Sequence, residues 1–310
     1  MRRQEIAAGN DDMHRVNRET LTVPVYLINL DRAPDRLELM TSMLSDLSLP
    51  FERVSAIDGR AIQFPTADFA ERAYVLRHGR RRNPAEVGCY LSHIECARRL
   101  LASSSEHALV LEDDAVLPDD ISDLIHGAIK AGETWDILRL SSVNSGKKHV
   151  FRKLTPRRSL AISLTREKGS GAYVINRRAA EWFVTGLMPM RLPFDIAFDL
   201  EYFAGLKAAF VVPVPVVQDI GLISQIQGHR RAFHLSRWHY LSVQPYRAWL
   251  EITRLLSRSA RLLSALARDG AEPDRHAYDR ALLGEDRYLP DMAVSTDQHS
   301  RQRRQGRRRA

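Results

Sequence analysis

The run Leu109-Val-Leu-Glu-Asp-Asp-Ala-Val-Leu117 constrains this chain more than any other stretch. Its flanks read as a buried strand: short, aliphatic, and bounded by His107 and Pro118. Three carboxylates do not belong inside such a strand, because burying unpaired charge is costly. Either the acids sit where the strand emerges into solvent, or a cation meets them. Alternation puts Glu112 and Asp114 on one face and Asp113 on the other. In an open α/β sheet the carboxyl end of a strand is also where ligands bind. Two carboxylates on one side suit a hard divalent ion, which takes oxygen ligands and leaves places open for phosphate. The plainer reading is an acidic turn after a strand, since Asp119 and Asp120 continue the acidity.

A strand of this kind needs a sheet and a core around it. The 310 residues, 44% of them hydrophobic, suffice for one large domain or two small ones. Cys89 and Cys96 are seven apart on a predicted helix, roughly 10 Å along its axis and too far for a disulfide. That spacing fits a reducing compartment and reads as ruling out a cysteine-based zinc site. No stretch approaches the ~20 apolar residues of a transmembrane helix. Residues 1–22 lack the apolar region of a signal peptide and read as a disordered tail. The expectation is a cytoplasmic protein.

The net charge of +8 is unevenly spread. Residues 231–310 hold 16 basic and 9 acidic residues, a net +7, which leaves +1 for the rest. The basic character therefore belongs to the C-terminal part. This argues against a specific nucleic-acid groove in the fold and for an anionic partner near the tail.

Taken in order, Val23–Leu30 is a buried strand, and Pro34 opens a helix with Leu37, Met40, Met43, Leu44 and Leu47 on one stripe. Phe51–Ile57 is a second strand, so a β-α-β unit and a parallel sheet are the first expectation. Arg32 and Arg36 stand near the helix start, either to hold a phosphate or paired with Asp31 and Asp35. Residues 60–82 read as irregular. Asn83-Pro-Ala-Glu86 is a helix start, with Asn as the cap. That helix carries Ser92 and His93 side by side, and adjacent helix positions do not face each other, so no serine nucleophile is assembled there. Further on come a helix near 119–131, a strand at 135–140, hairpin strands near 149–154 and 159–165, and a strand at 172–176. Gly169-Ser-Gly171 is a tight turn or a close backbone approach to a sugar. Pro193-Phe-Asp195 opens another helix, and the prolines of 210–217 suggest an edge strand. Arg247–Arg268 reads as a basic amphipathic helix. Arg247, Arg254, Arg258 and Arg261 make one face; Trp249, Ile252, Leu255, Leu256, Leu262, Leu263 and Leu266 make the other.

Four motifs occur in order: Val25–Arg32 with Arg36, Ala56-Ile-Asp-Gly59, Glu86-Val-Gly-Cys-Tyr-Leu-Ser-His93 and Val110-Leu-Glu-Asp-Asp114. On these the sequence resembles glycosyltransferase family 25, the lipooligosaccharide biosynthesis glycosyltransferases, over about residues 23–226. Gly171-Ala-Tyr173 and Pro193-Phe-Asp195 extend the likeness. The resemblance implies a GT-A-like (Rossmann-like) mixed, mostly parallel sheet flanked by helices. It implies a UDP-sugar donor, Mn²⁺ (or Mg²⁺), inversion at the sugar carbon, and a glycolipid or glycan acceptor such as lipooligosaccharide core. A catalytically silent carbohydrate-binding member of the same fold is the alternative.

By the resemblance, Glu112, Asp113 and Asp114 take the metal, and Asp195 is the base, with Asp199 in reserve. Asn29, Asp31, Arg32 and Arg36 hold the nucleoside and phosphates. Asp58, Glu86, His93, Gly171 and Tyr173 line the donor side. A second acidic pair, Asp199 and Glu201, lies close to Asp195 and leaves the base open between two aspartates. The expected layout is a tail at 1–22, a catalytic domain at 23–230, a helical extension at 231–290 and an Arg-rich disordered tail at 291–310. The 247–268 helix would hold the enzyme at the inner face of the cytoplasmic membrane, on anionic lipid, through its arginines.

Overall fold

The computed structural model describes residues 23–144, 146–218, 233, 235 and 237–269. The expected tails at 1–22 and 291–310, residues 221–227, which the sequence reads as a loop, and the extension beyond 269 lie outside the described residues.

The chain begins β1 (Val25–Asn29), α1 (Pro34–Asp46), β2 (Glu52–Ser55), as the alternating apolar pattern predicts. A helix follows that the sequence did not reveal, α2 (Glu71–His78). Its apolar stripe is weak, and its clearest signal is Gly79, whose φ of 74° ends it in the left-handed region. Then come α3 (Pro84–Ala102), β3 (His107–Glu112), the short β4 (Ala115–Val116) and α4 (Ile121–Lys130). Strands β5 (Ile137–Arg139), β6 (Lys148–Lys153), β7 (Ser159–Ser163) and β8 (Ala172–Asn176) precede α5 (Arg177–Thr185) and α6 (Phe194–Ala197). Last are β9 (Ala208–Val212), β10 (Val217–Gln218) and α7 (Tyr240–Asp269).

Eight strands form one sheet in the order β2-β1-β3-β8-β5-β9-β7-β6, and β10 pairs with β4 beside it. Of the seven pairings, β1 with β2, β1 with β3 and β5 with β9 are parallel, and the other four are antiparallel. Six strands therefore point one way, with β8 and β7 reversed. This is the mixed, mostly parallel, GT-A-like sheet of the expectation. Strand β9 is interior, between β5 and β7, and not an edge. Pro213 and Pro215 fall beyond its last residue, where their missing N–H groups cost no ladder bond.

The sheet is buried on both faces. Along β1, Tyr26 and Ile28 join one core with α3 and α5, while Val25 and Leu27 join the other with α1 and α4. Each such side chain, fully buried, contributes about 1.5–3 kcal/mol. Helices on both faces close off the sheet's flanks, so the strand ends are where the backbone opens to a ligand.

Helix α7 corrects the sequence reading. Its two faces exist, but the arginine face is turned inward. Arg254 and Arg258 are 0% and 2% exposed, whereas Leu256 and Leu263 are 65% and 68% exposed. Arg247 donates to the His78 carbonyl, and Arg261 to the carbonyls of Ala208 and Thr134. Leu262 and Leu266 pack on the body and Trp249 stacks on Phe203 at 4.9 Å, whereas Ile252, Leu255, Leu256 and Leu263 face outward. Amphipathicity defines two faces without saying which is inward, and here buried acids decide it. No helix among the described residues is long and apolar enough to cross a membrane.

Candidate active site

A cavity of about 380 Å³ opens at the carboxyl ends of β1 and β3. It is lined by Arg32 and Arg36 after β1, by Asp58 and Gly59 after β2, by Cys89, Ser92 and His93 of α3, and by Glu112, Asp113 and Asp114. Residues from all four motifs thus meet in one place.

Close packing brings them there. A Cβ on Gly59 would stand 2.0 Å from the Pro84 carbonyl oxygen, and one on Gly88 would stand 2.3 Å from that of Ile57. No side chain fits at either position, so the loop after β2 lies directly on the start of α3. Ser92 fastens it: the Ile57 N–H donates to Ser92 Oγ at 2.9 Å, and that hydroxyl donates to the Gly88 carbonyl at 2.8 Å. Asn83 caps the helix by accepting from the Ala85 N–H at 3.1 Å.

The three acids have three different surroundings. Asp113 accepts from Asn29 Nδ2 at 2.8 Å and from Arg36 Nη1 at 2.9 Å, which compensates its charge. Glu112 accepts from Ser170 Oγ at 2.7 Å, and His93 Nε2 lies 3.3 Å from it. Burial alone would raise the Glu112 carboxyl, but His93 and Ser170 outweigh that and hold it below its usual range. Asp114 receives Gln218 Nε2 at 3.3 Å from β10. Burial, then the charges of Glu112 and Asp113, push Asp114 up to about 6. Among the described residues no cation pairs with it directly; Arg36, bonded to Asp113, is the smallest of the influences on it. Hard oxygen donors with unsatisfied negative charge fit a divalent metal.

The other expected residues are placed as follows. Arg32 pairs with Asp58, both at the cavity wall. Asp31 is exposed and bonded to Arg53 at 2.6 Å and Ser55 at 2.9 Å; it does not line the cavity. Glu86 accepts from the Tyr74 hydroxyl on α2, behind the wall. Tyr173 is buried on β8, its hydroxyl 2.9 Å from His93 Nδ1. The Gly171 carbonyl accepts from the Glu112 N–H at 2.8 Å, and the close approach at this glycine is the Gln218 side chain. Gly169 takes the turn, at φ 102°.

Asp195 lies in the first turn of α6, and its charge helps to raise the Tyr74 hydroxyl and the Cys89 thiol, after burial in both cases. It therefore stands near the cavity without lining it. Asp199 is elsewhere. Fully buried, it accepts from Arg139 and Arg258 at 2.9 Å each and meets Arg254 at 3.1 Å. Glu201 beside it binds Arg258. The second acidic pair is thus the counter-charge of α7 and is sealed from any acceptor, which leaves Asp195 as the base candidate. Sequence reasoning missed Cys89, Ser92 and Gln218; all but Gln218 lie inside a motif that it quoted.

The family model described as Glycosyltransferase family 25 (LPS biosynthesis protein) matches residues 22–198. A glycosyltransferase 25 family member of Aedes aegypti is 34% identical over 95 residues, 29% of this chain and 16% of that one. Procollagen galactosyltransferase 1-B of Xenopus laevis is 29% identical over 127 residues, 37% of this chain and 20% of that one. The human inactive glycosyltransferase 25 family member 3 is 29% identical over 125 residues, 37% of this chain and 21% of that one. The chain thus spans 16–21% of the length of these relatives. Among solved structures, a galactosyltransferase in complex with donor and acceptor sugar analogs aligns at 12% identity and a TM-score of 0.33, over 71% of this chain and 99% of that one.

Proposed function

Since the chain belongs to glycosyltransferase family 25, we propose that it is an inverting enzyme that moves a hexose, galactose or glucose, from a UDP-sugar to a cell-envelope glycan acceptor such as lipooligosaccharide core. The observation that carries this reading is the juxtaposition of both signs of charge in one cavity. Arg32 and Arg36 face Glu112, Asp113 and Asp114 there, as a diphosphate and its cation require.

In this proposal Asp114 is the principal ligand of Mn²⁺ or Mg²⁺, with Glu112 or Asp113 assisting. The ion, when bound, supplies Lewis-acid neutralisation of the leaving diphosphate. Arg32 and Arg36 add positive charge at the phosphates, and the apolar wall of Ile28, Leu30 and Ile57 takes the base and sugar ring. Asp195 takes the proton of the acceptor hydroxyl as it attacks. Inversion needs no protein nucleophile, which agrees with Ser92 being committed to the backbone. The test is turnover of a panel of UDP-sugars with Mn²⁺, and with EDTA as the control. Release of UDP that stops in EDTA is the expected result.

The second reading, a silent carbohydrate-binding member, is favoured by the human relative named inactive. It predicts sugar binding with no UDP release from any donor.

The proposal places the protein at the inner face of the cytoplasmic membrane, by a different surface from that expected. The outward face of α7 presents Trp249, Ile252, Leu255, Leu256 and Leu263. Residues 231–310 carry net +7, of which Arg247, Arg254, Arg258 and Arg261 are taken up on the inward face, so the attraction to anionic lipid falls to the remaining basic residues. Apolar insertion then supplies the contact, and the basic chain attracts anionic lipid.

A further inference from the structure

One turn of α3 separates Cys89 from His93, and Glu112 ends β3 against them. A sulfur, a ring nitrogen and a carboxylate oxygen from these three residues all lie within 4.8 Å of one another. The imidazole is held for one task. Its ring stacks on Phe194 at a centroid distance of 4.0 Å and an interplanar angle of 4°. Nδ1 is 2.9 Å from the Tyr173 hydroxyl. A metal would take the Nε2 lone pair, with Nδ1 carrying the proton toward that oxygen; without one, Nε2 lies against Glu112 and helps to lower its carboxyl. Nε2 is buried in a side chain only 1% exposed and makes no hydrogen bond; its 3.3 Å approach to Glu112 Oε1 is out of line for one. Glu112 is thus a poorly aligned partner for a buried nitrogen, which costs stability, and a ligand that takes the Nε2 lone pair removes that cost.

We propose that Cys89, His93 and Glu112 form a binding site for zinc, which can share Glu112 with the oxygen ligands at Asp114 but is otherwise separate from them. The donor chemistry selects the ion. Thiolate, imidazole and carboxylate are the ligands of Zn²⁺, and three protein ligands with a fourth position open are its common non-structural arrangement. Mg²⁺ and Mn²⁺ favour oxygen throughout. The fourth position faces the cavity, which Cys89, His93 and Glu112 all line. Tyr173 acts behind the ligand, fixing the ring and its tautomer through Nδ1. On binding, the Cys89 thiol gives its proton to solvent and its sulfur forms the bond to the metal. One cysteine is enough for this set, so the Cys89–Cys96 spacing does not exclude it: the partners of Cys89 are a histidine on the next turn and an acid 23 positions on.

The site is tested with the metal alone, on the full chain, without reference to transfer activity. Metal-free protein titrated with Co²⁺ should develop a thiolate-to-cobalt charge-transfer absorption, and Zn²⁺ should abolish it. Cys89→Ser should remove that absorption and weaken Zn²⁺ binding by at least the about 10–100-fold that losing an outer-shell partner costs, since it removes a ligand itself. Tyr173→Phe should keep the absorption but bind more weakly. Asp114→Asn should leave the absorption intact while losing Mn²⁺, which separates the two sites. No charge-transfer band in the wild type, or Zn²⁺ affinity unchanged in a folded Cys89→Ser protein, overturns the proposal. A protein that binds Co²⁺ through Cys89 yet turns over no UDP-sugar upholds it and counts against the transferase reading alone.

Discussion

Arg258 donates from Nη2 to Asp199 Oδ1 at 2.9 Å, and neither side chain is more than 2% exposed. The same guanidinium binds Glu201 and the Ser163 carbonyl. This joins α7 to the body by charge as well as by the apolar packing of Leu262 and Leu266. Removing one member of such a buried set strands the others, at a cost of about 3–5 kcal/mol. Arg258→Ala should lower the unfolding free energy by that amount in a denaturant titration. A loss below about 0.5 kcal/mol, usual for surface changes, would return this face of the helix to solvent.

Asp114 gives a pH dependence with a definite sign. Its folded-state pKa is raised from 3.8 to about 6, so the folded, metal-free protein holds this proton more tightly than the unfolded chain. The resulting penalty is absent below the unfolded pKa, grows through the window between the two values, and is full above about pH 6. Asp114→Asn should therefore stabilise the metal-free protein at pH 7 by about 1–3 kcal/mol, from the size of the shift. Mn²⁺ should stabilise the wild type and not the variant, and kcat for transfer should fall about 10²-fold or more. Thermal melts at pH 5 and 7, with and without Mn²⁺, check the first two; equal melts for the two proteins at pH 7 would contradict the assignment.

Asp195→Asn separates transfer from donor binding. The aspartate lies near the cavity but outside its lining. The variant should bind UDP within about twofold of wild type and lose about 10²–10⁴ in transfer, the usual share of a general base. Collapse of UDP affinity in the variant would move Asp195 into the donor site.

For membrane association, the residues that matter are now leucines. Replacing Leu255, Leu256 and Leu263 by Gln should abolish sedimentation with anionic vesicles while leaving the melting temperature unchanged, since all three face outward. Arg254→Glu should instead unfold the protein, because the arginine is fully buried against Asp199. Vesicle binding that survives the triple change would assign the surface elsewhere.

Much of the site was legible because its chemistry is local. Glu112, Asp113 and Asp114 interrupt an apolar run, and that conflict is visible without coordinates. Asn83 and Pro84 mark the start of α3, and the resemblance set the four motifs side by side. What the motifs do to one another was not legible. Gly59 and Gly88 are far apart in the chain, and only their contact explains why neither carries a side chain. Nothing local distinguishes Asp195 from Asp199 four positions on; one stands by the cavity and the other is enclosed by three arginines.

The sequence by itself determined the α/β pattern, the place of the acidic strand end, and the two faces of the last helix, because each depends on periodicity or on neighbours within a few residues. The tertiary structure alone decided which face of that helix is inside. An amphipathic helix turns its leucines inward by default, since burying charge is costly. Here Asp199 and Glu201 were already buried, and the arginines that neutralise them outweighed that default. The same holds for His93: its spacing from Cys89 was on the page from the start, but Phe194, Tyr173 and Glu112 reach it from three other elements, and only their arrival leaves Nε2 open.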